Sequence, residues 1–148
     1  MILNRDVLIA KLVQLQDAID RVQAKRPDTV DQLLADRDLQ DIIAKNLERA
    51  VQVSIDIATH LATMNGMAPP TASDAFRALA EAGHLDREVA SAMVRAVGFR
   101  NVSVHDYVEV DWGIVMRIAV AGLDDLKAFG RWAKDLLPPA ATPPSGRR

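Results

Sequence analysis

Nine consecutive residues, Phe99-Arg100-Asn101-Val102-Ser103-Val104-His105-Asp106-Tyr107, gather a guanidinium, an amide, an imidazole, a carboxylate and a phenol between two helical patterns. The permanent planar charge of Arg100 suits a phosphate, the His105 imidazole exchanges a proton near neutral pH, and the Tyr107 hydroxyl offers a donor or a nucleophile. Together these groups point to phosphodiester chemistry. Cleaving RNA without a metal needs a base for the 2′-hydroxyl proton, an acid for the departing 5′-oxygen and a cation for the charge gathering on phosphorus.

One chain supplies one strong histidine for those roles. His60 falls close to the apolar stripe of a long helical pattern, where a core or boundary histidine is the ordinary outcome, and His84 falls in a linker. A two-fold dimer supplies the missing group, because an isologous contact brings the same patch of both subunits together and doubles Arg100 and His105 in one cleft. In an unbroken helix His105 lies about 140° around the axis from Arg100, so a kink or loop is expected between them, with Val102 and Val104 facing inward. The same residues admit a plainer arrangement: an Arg100–Asp106 ion pair, a helix-end His105 and a Tyr107 ring packed in the core. The residues alone leave both open.

The elements that must carry this stretch are helical throughout. Asn4 can cap a first helix with Val7, Leu8, Leu12, Leu15, Ile19 and Val22 at spacings of three or four, and Pro27 follows its end. A turn or single helical turn fits 28–34. Asp36 or Asp38 then opens the longest periodic segment, Leu39 to Met64, roughly 40 Å of helix at 1.5 Å per residue. Asn65-Gly66 and Pro69-Pro70 close it. Thr71 begins a short helix with Phe76, Leu79 and Ala80, stopped by Gly83. Asp86 caps the next, whose apolar face is Val89, Ala90, Met93 and Val97 and which is expected to weaken at Gly98. After the nine residues, Asp111 caps one last long helix from Trp112 through Ala133, ending before Pro138-Pro139. No strand pattern of useful length interrupts the series.

Composition narrows the partners. A chain of 148 residues buries roughly 70% of its unfolded surface on folding, so one self-sufficient domain, 1–137, with a flexible Pro-rich tail, 138–148, is expected. The net charge of −2 excludes a general basic coat, so any nucleic-acid contact rests on a local patch. Arg95 and Arg117 are the nearest further cations. No cysteine is present, which removes disulfides, thiolate nucleophiles and cysteine metal sites, and the three histidines lack zinc spacing. No metal and no cofactor are expected. No segment approaches the roughly 18 apolar residues of a membrane helix, and the start lacks a basic region before an apolar run. A cytoplasmic protein without a membrane partner is the expectation.

Arg100-x₄-His105-x-Tyr107, with Gly98-Phe99-Arg100-Asn101 and Val104-His105-Asp106-Tyr107 around it, resembles the motif of the HepT-like toxins of the HEPN superfamily. Asp41 to Leu61, with its late Asp56 and His60, resembles that family's long helix, and Ala75-Phe76-Arg77-Ala78-Leu79 its following helix. The likeness covers most of residues 4–135. It implies an all-α, HEPN-type antiparallel bundle of four to five helices, homodimeric, acting as the toxin of a toxin–antitoxin module by metal-independent cleavage of RNA. It also implies a cognate MNT-type nucleotidyltransferase antitoxin that transfers AMP to Tyr107. By the same resemblance Arg100 stabilises the phosphorane, His105 is the acid or base, and Asn101 and Asp106 position substrate or support the site. Asp56 and His60 are secondary candidates. An AMP group on Tyr107 would place an anion in the cleft and repel the phosphate. Two rivals compete with this reading: a non-catalytic HEPN protein that binds nucleotide or a partner, and a purely structural dimer seam.

Overall fold

A computed structural model of the protein describes residues 1–103 and 110–139, with side chains throughout except at 101–103. Among the described residues the elements are α1 (Arg5–Lys25), α2 (Val30–Ala35), α3 (Arg37–Met64), α4 (Ala72–Glu81), α5 (Arg87–Ser103), α6 (Trp112–Arg117), a π-helical turn (Ile118–Gly122) and α7 (Leu123–Asp135). All are helical, as the patterning requires. No helix among the described residues is long and apolar enough to cross a membrane.

Short polar side chains start most of these helices. Asn4 Oδ1 accepts the Val7 N–H at 3.2 Å, Asp36 Oδ1 accepts that of Leu39, Thr71 Oγ1 that of Asp74, and Asp111 Oδ1 those of Gly113 and Ile114. Each satisfies a donor that the first helical turn leaves without an internal partner. Thr29 and Gln32 complete a reciprocal capping box on α2. At Thr71 the hydroxyl also donates to Asp74 Oδ2 at 2.8 Å. That bond, followed by the neighbouring Arg77, holds the Asp74 carboxyl below its ordinary range. Glycine serves where α3 and α4 stop: Gly66 and Gly83 both adopt φ +79°, which an L side chain resists. The carbonyls left over there accept the Met67 and His84 N–H groups.

The long helix α3 is the axis. Its middle buries Val51, Val53, Ser54, Ile55, Ile57 and Ala58, residues pointing in most directions, so it is enclosed rather than laid on a surface. Ser54 is the one buried polar residue among the described ones, and its hydroxyl donates to the Ala50 carbonyl one turn back. α1 packs along α3 more extensively than any other pair. The two run antiparallel: Ile2 meets Asn65, Asn4 meets His60, Lys11 meets Asp56 and Asp17 meets Arg49, so one number climbs as the other falls. α4 and α5 cover another side of α3, and α7 closes the bundle against α1, α3 and α5. Phe76 of α4 stands edge-on to Phe129 of α7 with centroids 5.4 Å apart. Trp132 continues that stack and donates to the His84 carbonyl.

Two expectations need correction. Gly98 does not weaken α5, which runs through it to Ser103. Gly98 is exposed, and a Cβ there would meet nothing within 4 Å, so tertiary packing on Ala90, Met93 and Val97 carries the helix past its poor propensity. The last long helix keeps its expected span but is not regular throughout, because it widens into a π-helical turn at Ile118–Gly122. The tail beyond Pro139, expected to be flexible, lies outside the described residues.

Candidate functional site

The nine-residue stretch is divided by the structure. Phe99 to Ser103 form the end of α5, which puts Arg100 in its last turn rather than in a connection. His105, Asp106 and Tyr107 lie outside the described residues, as do the Asn101 side chain and the expected bend between Arg100 and His105. The inward positions of Val102 and Val104 and the Arg100–Asp106 pair fall there too.

Arg100 itself is half-buried, and its Nη1 donates to Gln52 Oε1 on α3. Gln52 turns its other end to the next helical turn, where Nε2 donates to Asp56 Oδ1 at 3.0 Å. The second oxygen of Asp56 accepts from Lys11 Nζ of α1 at 3.2 Å. Lys11 and Asp56 keep only 33% and 37% of their side-chain surface in solvent. Arg100 is therefore joined to α3 and, through Gln52 and Asp56, to α1. The helix spacing explains the middle of this chain, since Gln52 and Asp56 are four apart and share a face.

His60 stands one further turn along that face, half-buried, and its contact runs elsewhere. Its Nε2 accepts the Asn4 backbone N–H at 3.2 Å. Beside it, Asn65 donates to the Ile2 carbonyl and accepts the Ile2 N–H, each at 2.8 Å. His60 and Asn65 fasten the start of the chain to the end of α3.

The structure thus brings Arg100 and Asp56 together through Gln52 and leaves His60 with the chain start. Gln52 and Lys11 are the side chains that sequence reasoning passed over. Gln52 had a local signal, its place four residues before Asp56 on one helix face. Lys11 had none, because its partner lies 45 positions away. Arg95 and Arg117, the further cations nearest in sequence, are both exposed. Arg95 lines a cleft of about 570 Å³ between α5 and α7 together with Arg87 and Asp125.

A model of the HepT-like ribonuclease family matches residues 15–131. The mRNA nuclease HepT of Shewanella oneidensis MR-1 is 32% identical to this chain over 125 residues, covering 84% of the chain and 93% of that protein. The solved structure of the tri-AMPylated Shewanella oneidensis HEPN toxin in complex with MNT antitoxin is 30% identical and superposes with a TM-score of 0.82, over 89% of this chain and 99% of that one. A solved MntA–HpeT toxin–antitoxin structure carrying a tyrosine-to-alanine substitution is 28% identical with a TM-score of 0.80, over 87% and 98% of the two chains.

Proposed function

The chain belongs to the HepT-like ribonuclease family, and from that premise we propose that it is a toxin endoribonuclease that cuts RNA without a metal and is silenced by AMP transfer to Tyr107. The observation that carries the reading is Arg100, in the last turn of α5 and first residue of the sequence motif Arg100-x₄-His105-x-Tyr107, in a helical bundle that superposes on the HEPN toxin. Arg100 stabilises the charge that gathers on phosphorus, and His105 moves the proton as acid or base. Asn101 and Asp106 position the substrate or support the site. Two subunits complete the acid and base pair by apposing their α5 ends, so the working unit is a homodimer.

The related toxin is AMPylated in a complex with its MNT antitoxin, which supports an MNT-type nucleotidyltransferase as the partner here. Tyr107 is the sole tyrosine of the chain, so tyrosine modification has one address. The added phosphate brings a negative charge that would repel the RNA backbone from the site. The helical domain, 1–137, holds the activity, the tail 138–148 lies outside it, and the cytoplasm is its site of action.

Purified protein incubated with total RNA in chelator tests the reading. Cleavage that disappears in His105→Ala, at unchanged thermal stability, is the expected result. RNA left intact by the unmodified wild type would instead favour the non-catalytic binding protein. A co-purified MNT-type enzyme with ATP should add the mass of AMP to wild type and not to Tyr107→Phe.

A further inference from the structure

A guanidinium that must meet a phosphate at a fixed place needs its own orientation fixed, and the long Arg side chain has many rotamers to lose. In this protein that constraint comes from outside the motif. We propose that Gln52, itself oriented by Asp56 and Lys11, is a positioning residue for the Arg100 guanidinium. The inference rests on the ribonuclease reading of Arg100 and deepens it.

A glutamine amide can present either its oxygen or its nitrogen to a neighbour. Here the ambiguity is removed. Asp56 Oδ1 can only accept, so it takes the Nε2 donor at 3.0 Å and turns Oε1 toward Arg100, which can only donate. Lys11 holds the other carboxylate oxygen at 3.2 Å, so each oxygen of Asp56 has a partner. The hydrogen bonds converge on Asp56: Arg100 donates to Gln52 and Gln52 to Asp56 from one side, and Lys11 donates to Asp56 from the other.

The type of residue that touches Arg100 matters as much as the contact. A carboxylate at position 52 would pair with the guanidinium and cancel the charge that a phosphate seeks. An amide oxygen holds the same N–H group without adding an opposite charge. The carboxylate needed to orient that amide stands one helical turn further off, with the Lys11 ammonium beside it. Gln52 thus enforces direction without bringing a counter-charge of its own.

Steady-state cleavage of a defined RNA by the full-length protein tests this, with Gln52→Leu, Asp56→Ala, Lys11→Met and Arg100→Ala compared at matched thermal stability. Gln52 is exposed, and leucine is a good helix former. The expected losses in kcat grade with distance along the chain: on the order of 100-fold for Gln52→Leu, less for Asp56→Ala and least for Lys11→Met, with KM changing less than kcat. Arginine-labelled NMR supplies a readout free of activity. The Arg100 side-chain N–H resonance, assigned by its loss in Arg100→Lys, should broaden or exchange faster in Gln52→Leu and in Asp56→Ala. Full cleavage rates and an unchanged resonance in both variants, with Arg100→Ala inactive, would overturn the positioning role and leave the ribonuclease standing. Cleavage by Arg100→Ala at the wild-type rate would remove the ribonuclease reading of Arg100, and the positioning role with it. If Gln52→Leu fails to fold, Asp56→Ala decides by the same two measurements.

Discussion

α3 and the segment from Trp112 to Asp135 read alike in sequence, each an unbroken apolar stripe expected to make one long helix, yet only α3 is α-helical throughout. α3 keeps regular hydrogen bonding for 28 residues. The later segment widens into a π-helical turn at Ile118–Gly122. The spacing of buried residues does not separate the two: Val115, Ala119 and Leu123 are buried at steps of four and four, and so are Ile43, Leu47 and Val51 of the regular α3. Two contacts particular to the later segment accommodate its wider turn. Arg26, at the end of α1, donates to the Ala119 carbonyl within the turn at 2.7 Å, and Gly122 leaves room for Ile118, whose Cγ2 would sit 2.9 Å from an added Cβ. An apolar stripe reports which side of a helix is buried. It does not report how many residues each turn contains.

If α3 is the axis and the π-helical turn a local accommodation, substitutions should separate the two. The largest effect is expected in α3, where Leu47→Ala empties a fully buried site and should lower the unfolding free energy by about 3 kcal/mol in urea titration. A loss below about 1 kcal/mol would show that α3 is not the load-carrying element it looks like. Arg26→Met keeps the aliphatic stem and removes the donor to Ala119, and should cost about 1–2 kcal/mol. No change there would mean the π-helical turn stands without it.

A pair of glycines sharpens the contrast further. Gly122→Ala forces its new Cβ against the β-branched Ile118, which has little rotamer freedom to yield, so a net loss of about 1 kcal/mol is expected despite the gain in helix propensity. Gly98→Ala meets nothing within 4 Å on α5 and should gain about 0.5–1 kcal/mol. Melting curves in which the two variants move in opposite directions are the expected outcome, and equal shifts would remove the packing argument for Gly122.

An effect of similar size concerns the cap of α4, the helix whose Phe76 packs on α7. Thr71→Ala should cost about 1 kcal/mol at pH 7. Because the Asp74 carboxyl is depressed below its unfolded value, chiefly by the Thr71 hydroxyl, its share of stability is present above about pH 3.9 and fades as pH falls through the folded value. The gap between variant and wild type should therefore narrow in acid. A constant gap down to pH 2 would mean that the hydroxyl acts only through the backbone.

Much of the bundle could be read from residue order because its determinants are local. Asn4, Asp36, Thr71 and Asp111 announce helix starts by chemistry that reaches two or three residues, and the Leu and Ile spacing announces the buried faces. The motif Arg100-x₄-His105-x-Tyr107 is likewise local, and it alone pointed to phosphodiester chemistry. Other features depend on residues far apart in the chain. The Arg26–Ala119, Lys11–Asp56 and Gln52–Arg100 contacts join positions 93, 45 and 48 residues apart, and no spacing rule links such pairs. They exist because α3 lies antiparallel to α1 and beside α5. The sequence by itself determined the helices, their caps and the motif from which phosphodiester chemistry is proposed. Only the packing of those helices decided what holds the arginine, because orienting a flexible cation takes acceptors brought in from a different helix.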